Sequence, residues 1–326
     1  MASLVLLAFV AVTAFLQAGG NKCFLRSSDR RIMVSCRGHQ LTSVPPSVSD
    51  NVTWLDLSHN VLRNISGDTF RRFQHLQFLD LSHNAIKHLD TDAFLHLDKL
   101  EVLNLTHNNL TALTSHIRAG KLSGHVYTTG HNKVRGLTDA KPSPRMPRNS
   151  TLAAGGIPAT SLKNLRVLHL DHNLIVSLNA NYFIGLSSLS ILTLSHNLLE
   201  TVHNDTFQGL TQLGVLTLDA NKLQSLEAGS FRGLSHLETL SLSNNQLLYT
   251  DEAIPPGVFA PVRHTLTSLS LEGNIDDYYD GGYPEASFKD LSALQTLKVD
   301  TMSRPCLLYT SPSPRDEESS RMPSSA

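Results

Sequence analysis

The sequence predicts an α/β repeat solenoid, a stack of short parallel strands with one strand per turn. Three observations carry this. The pattern L-x-x-L-x-L-x-x-N-x-L begins at Val52, Leu76 and Leu100, and again at Leu165, Leu189, Leu213 and Leu237, stepping by 24 residues within each run. Two further copies begin at Leu266 and Leu294, after steps of 29 and 28 residues. A Phe follows most repeat starts by 18 residues, at Phe70, Phe94, Phe183, Phe207 and Phe231, and the long repeats by 22, at Phe259 and Phe288.

A fixed period of this length identifies a leucine-rich repeat solenoid, a horseshoe with a parallel β-sheet on its concave face. Positions 4 and 6 of each copy share one side of a strand. Leu55/Leu57, Leu79/Leu81, Leu103/Leu105, Leu168/Leu170, Leu192/Leu194, Leu216/Leu218, Leu240/Leu242 and Leu269/Leu271 therefore point inward. One repeat cannot bury that side alone, and stacking makes one continuous core. Position 9 is Asn in Asn60, Asn84, Asn108, Asn173, Asn197, Asn221, Asn245 and Asn274. The chain leaves the strand there, and a buried carboxamide supplies both donors and acceptors to the backbone groups that lose their ladder partners. The phenylalanines read as a stacked spine on the convex side.

Taken from the N-terminus, Leu4 to Leu16 is an apolar run followed by Gln17-Ala18-Gly19-Gly20. It is too short to span a bilayer comfortably and reads as a secretory signal peptide over residues 1–20, although it lacks Lys or Arg at its start; a buried apolar segment is the alternative. Residues 21–51 form an N-terminal cap with Cys23 and Cys36. An array needs its end closed, and a disulfide between these cysteines would pin a small hairpin over the first repeat in an oxidising compartment. Leu41 and Val44 supply apolar contacts before Pro45 and Pro46. Six N-x-S/T sequons, at Asn51, Asn64, Asn104, Asn109, Asn149 and Asn204, agree with a secretory route to an extracellular or lumenal site. Of these, Asn104 lies at outward position 5, where a glycan would obstruct the concave face.

Residues 52–304 hold about ten repeats. Between Leu113 and Leu165 the pattern weakens. Counting 24 residues from Leu100 puts Gly124 at position 1, Tyr127 and Thr129 at the inward positions, His131 at position 8 and Asn132 at position 9. This reads as a degenerate repeat over 124–164, with about 17 inserted residues around Pro142 to Pro158. The stretch from Thr114 to Lys163 carries eight Lys/Arg and one acid, Asp139. A basic loop of this kind can meet nucleic acid or another anionic polymer; a solvated surface loop is the plainer reading.

Position 8 is His in His59, His83, His107, His131, His172 and His196. With adjacent strands roughly 4.8 Å apart, these would form a column along one edge of the concave face. Such a column could sense pH and bind anions when protonated, strengthening ligand binding as pH falls from about 7 to about 5.5; it could take up a metal; or His could simply support the turn. His169, Asp171 and Ser195 suggest a catalytic triad, but nothing supplies a strained nucleophile turn or an oxyanion hole. No nucleotide loop, H-E-x-x-H or C-x-x-C pair appears, so no enzyme activity, cofactor or dedicated metal site is expected. With 27 basic and 28 acidic residues, overall charge indicates no partner.

Two stretches are similar to a known family. Cys36-Arg-Gly-His-Gln-Leu41-Thr-Ser-Val-Pro45 followed by Asn51-Val-Thr-Trp-Leu-Asp-Leu-Ser-His-Asn60 resembles the N-terminal cap and first repeat of Toll-like receptors. Ile254-Pro-Pro-Gly-Val-Phe259 and Tyr283-Pro-Glu-Ala-Ser-Phe288 resemble irregular repeats of its invertebrate-type members. The resemblance covers roughly residues 23–302, apart from the degenerate repeat, and implies an ectodomain that recognises microbial molecules, forms a homodimer on ligand, and signals through a single membrane span and a cytoplasmic TIR domain that recruits TIR adaptors. The chain has neither of those last two parts. Residues 305–326, with Cys306 and a Ser/Pro-rich run similar to translated adapter sequence, read as a disordered or foreign tail on a truncated fragment. A secreted or cell-surface leucine-rich repeat protein that mediates adhesion or matrix binding is the alternative.

Overall fold

The computed structural model describes residues 12–18, 21–28, 31–90, 93–111, 162–178, 182–275 and 285–300. In chain order its strands are β1 (Val12–Ala18), β2 (Asn21–Ser28), β3 (Arg31–Ser35), β4 (Trp54–Asp56), β5 (Asn64–Ile65), β6 (Phe78–Asp80), β7 (His88–Leu89), β8 (Val102–Asn104), β9 (Val167–His169), β10 (Ile191–Thr193), β11 (Thr201–Val202), β12 (Val215–Thr217), β13 (Ser225–Leu226), β14 (Thr239–Ser241), β15 (Ser268–Ser270) and β16 (Thr296–Lys298). Twelve of them form one sheet in the order β1-β2-β3-β4-β6-β8-β9-β10-β12-β14-β15-β16. From β3 onward every pairing in it is parallel, and equivalent repeat positions face each other: Leu55↔Leu79, Leu79↔Leu103, Leu192↔Leu216 and Leu240↔Leu269. The 24-residue step is therefore the length of chain that returns one leucine to stand beside the last.

The inward leucines are sealed: Leu55, Leu79, Leu103, Leu168, Leu192, Leu216, Leu240 and Leu269 are each 0 % exposed. Truncating one to Ala should cost about 2–5 kcal/mol. The convex side is built of turns rather than long helices. Its described regular elements are the short pairs β5–β7 and β11–β13, the 3-10 turn Ala260–Val262 and one helical turn, α1 (Glu285–Phe288). Phenylalanines fill the space behind the turns and stack between neighbouring repeats, Phe70 on Phe94 at 6.0 Å, Phe183 on Phe207 at 6.0 Å and Phe231 on Phe259 at 5.7 Å between ring centres.

The asparagines close the exits from the strands. Asn197 donates through Nδ2 to the carbonyls of Leu170 (3.0 Å) and Leu194 (2.9 Å), while its Oδ1 accepts the amide of Ile175 at 3.1 Å. Asn108, Asn173, Asn221, Asn245 and Asn274 repeat this bridge. Asn60 makes it to the cap, reaching the Cys36 carbonyl and the amides of His39 and Leu41.

The cap is a hairpin spliced into the sheet. β2 pairs antiparallel with β3, and β3 pairs parallel with β4. The Cys23–Cys36 disulfide lies wholly buried with Val34 and Leu41. The apolar N-terminal run supplies β1, antiparallel to β2 at the sheet edge. At the other end Leu297 is 41 % exposed, because no described repeat stacks on β16.

One expectation is overturned. β8 pairs directly with β9, Leu103 opposite Leu168, and the amides of Leu105 and His107 donate to the carbonyls of His169 and Asp171. These two strands bond to each other with no further strand between them, whereas the repeat expected from Gly124 lies outside the described residues. The step from Leu100 to Leu165 thus leads from one rung of the sheet to the next across 41 residues more than the 24-residue period. The basic run and the sequon at Asn149 lie outside the described residues, apart from Lys163.

Candidate functional site: the open face of the sheet

A parallel sheet packed on one side leaves the other side open, and here that side shows positions 3, 5 and 7 of each repeat. Position 3 carries Trp54, Phe78, Val102, Val167, Ile191 and Val215, then Thr239, Ser268 and Thr296. The Trp54 and Phe78 rings lie nearly parallel, 4.9 Å apart. The inward leucines and the asparagines do not by themselves point to this apolar stripe. The signal was present at one fixed offset, one residue before the second leucine of each repeat.

The carboxylates of positions 5 and 7 satisfy amides at the strand ends. Asp56 accepts the Ser58 amide at 2.9 Å and Asp80 that of Ser82 at 2.8 Å. Asp171 and Asp219 reach one repeat further, to the amides of Ser195 (2.7 Å) and Ser243 (2.8 Å). The triad-like group is wired differently from a proton relay. His169 Nδ1 lies 3.0 Å from Thr193 Oγ1, Thr193 donates to Asp171, and Ser195 Oγ donates to Thr217 Oγ1 at 3.0 Å.

Five of the six position-8 histidines form a ladder. Ring centres are 4.1 Å apart for His59–His83, 4.2 Å for His83–His107, 4.0 Å for His107–His172 and 4.1 Å for His172–His196, all stacked. His107 rests directly on His172, and His131 lies outside the described residues. All five are exposed and share a left-handed backbone, with φ from 51° to 56°. Ala220 (φ 51°), Asn244 (φ 54°) and Gly273 (φ 78°) take the same turn later in the array. His, like Asn, tolerates that region better than most side chains, which is a physical reason for its recurrence. Burial, followed by the charges of His107 and His59, pushes His83 below its ordinary value of 6.5 against the pull of Asp80. His172 is lowered by burial, then by His107 and His196. Among the described residues no group of three or more His, Cys, Asp or Glu could hold a metal ion.

The sequons sit differently. Asn51, Asn64 and Asn204 are exposed, Asn109 is half-buried beside the strand exits, and Asn104 is half-buried on the open face with its Oδ1 accepting the Thr106 amide at 3.1 Å.

A stacked sheet with one open face offers a continuous surface for binding. The leucine rich repeat family model matches residues 40–113, 163–223 and 211–275, more than half of the sequence, and the chain belongs to that family. Many solved chains match it. One is the crystal structure of the TLR13–ssRNA13 complex, at 29 % identity and a TM-score of 0.54, over 76 % of this chain. The chain spans 29 % of that structure's chain. Over the matched region it is similar to a Toll-like receptor ectodomain, the family its cap and first repeats resemble. No curated protein matches it. No helix among the described residues is long and apolar enough to cross a membrane.

Proposed function

We propose that this chain binds a microbial ligand as the ectodomain of a Toll-like innate immune receptor, on the extracellular or lumenal side of a membrane. The single observation that carries this reading is the likeness to a Toll-like receptor ectodomain over three quarters of the chain, at 29 % identity. The buried Cys23–Cys36 disulfide supports an oxidising compartment. A leader over residues 1–20 fits the same route: its removal would take away β1 and leave the disulfide-linked β2–β3 cap intact. Nucleic acid enters as a ligand class because the similar structure is a complex named for ssRNA; homodimer formation on ligand comes with the Toll-like reading.

The test is a fusion of the chain to a membrane span and TIR domain in reporter cells challenged with heat-killed bacterial, fungal and viral preparations. A response to at least one preparation is expected. Silence towards all of them, with retention of the secreted chain on collagen or proteoglycan, would assign it instead to adhesion or matrix binding. Sequencing the transcript past the codon for Met302 separates the same two readings.

A further inference from the structure

The open face carries two features that the fold itself does not require. The first is the apolar stripe of Trp54, Phe78, Val102, Val167, Ile191 and Val215, half-buried side chains with no described repeat packed over them. Thr239, Ser268 and Thr296 hold the same position in the same parallel register, so apolar character is dispensable for pairing. The second is the charge of Asp56, Asp80, Asp171 and Asp219. Their hydrogen bonds satisfy strand-end amides, yet Asn104 gives the Thr106 amide the same partner without a charge. Among the described residues, opposing cations on this face are few. Arg37 stands at the cap, its Nη1 donating to Ser58 Oγ at 3.2 Å; Arg166 shares its column with Glu101 and Glu238; Lys298 is on the last rung. Among the described residues, the stripe is bordered mainly by negative charge.

We infer that this face docks a cationic amphipathic helix, a polypeptide segment with an apolar ridge and basic flanks. Rungs of the sheet recur every ~4.8 Å, close to the ~5.4 Å rise of one helical turn, so ridge residues one turn apart fall on successive rungs. An extended segment repeats its same-side residues every ~6.8 Å and drifts out of step at once. The stacked Trp54 and Phe78 rings form the anchor, since aromatic side chains carry most of the affinity at such interfaces. Lys or Arg on the helix flanks meets Asp80, Asp171 and Asp219, whereas a nucleic acid would bring phosphates against those carboxylates. The inference rests on the reading of this face as the ligand surface and names the chemistry of its occupant.

The experiment uses the secreted chain carrying Thr106→Ala, which removes the sequon at Asn104 from the middle of the stripe. The probe is a fluorescent helical peptide of Leu and Lys, about 16 residues long to match five rung gaps at ~1.5 Å per residue, followed by anisotropy. Its comparators are a scrambled peptide of the same composition and a single-stranded RNA. The helical peptide is expected to bind, and both Trp54→Ala with Phe78→Ala and Asp80→Asn with Asp171→Asn and Asp219→Asn should weaken it by about tenfold or more. Thr239→Val with Ser268→Val, which lengthens the stripe, should tighten it several-fold and does not depend on the loss variants folding. Equal binding of the scrambled peptide, unchanged affinity across the variants, or RNA that binds more tightly than the peptide and is lost with Trp54→Ala would each overturn the inference. A reporter response that survives alongside such a result would leave the receptor reading standing and remove this one alone.

Discussion

Asn197 illustrates what single side chains do in this array. Its carboxamide ties two carbonyls and one amide in adjacent repeats, all inside the core. Asn197→Ala leaves those groups buried without partners, and we expect a loss of about 1–3 kcal/mol in unfolding free energy, read from urea denaturation. The histidine ladder bears on pH. Because burial and neighbouring rings lower His83 and His172, the folded chain holds their protons more weakly than the unfolded chain does. The stability tied to them is present above their ordinary value of 6.5 and is lost as pH falls through their lower folded values. The urea midpoint should therefore decline between about pH 7 and about pH 5. His83→Asn with His172→Asn should flatten the decline, Asn being able to hold the same left-handed backbone; an unchanged slope would count against the ladder as its source. The same shifts delay charging of His83 and His172, so any gain of an anionic ligand through these two would set in at lower pH than an isolated imidazole allows.

At the scale of elements, the cap and the repeats use different means to the same end. A repeat is sealed by its neighbours; the first repeat lacks one and receives β2 and β3 in its place. The disulfide closes a loop across a separation of 13 residues, for which chain entropy suggests about 3 kcal/mol. Replacing Cys23 and Cys36 by Ser should lower the thermal midpoint by several degrees and raise amide exchange first in β3 and β4, measured by hydrogen–deuterium exchange. Equal exchange in these strands with and without the bond would show that the cap holds by packing alone. The long repeat begun at Leu237 keeps its strands in register because its extra residues are spent on the convex side around Pro255, Pro256 and the turn Ala260–Val262.

For the whole molecule, the direct pairing of β8 with β9 means that the array is continuous through the 41 surplus residues. Deleting Gly120–Thr160 restores the 24-residue step, leaving Leu113 and Leu162 at their usual places. The shortened chain should fold with the same sheet and an unchanged or higher thermal midpoint, since less chain needs ordering. Aggregation of the deletion variant, with the parent soluble, would show that the surplus segment is part of the solenoid after all.

The period, the inward leucines, the asparagine bridges, the phenylalanine spine and the cap cysteines were all legible in the sequence. Each answers to a local rule, the alternation of a strand or the satisfaction of a turn, repeated until chance is excluded. What only the tertiary structure decided is which repeats touch. An in-phase count placed a strand at Gly124 and a histidine at His131 inside the stack, yet registry along a chain does not oblige a segment to occupy a rung when the strands on either side can pair with each other. The left-handed turn shared by His59, Ala220, Asn244 and Gly273 and the apolar stripe beside the carboxylates likewise emerged once side chains distant in sequence stood side by side. Sequence spacing says which way a residue points; only stacking says what it stands next to, and binding depends on the latter.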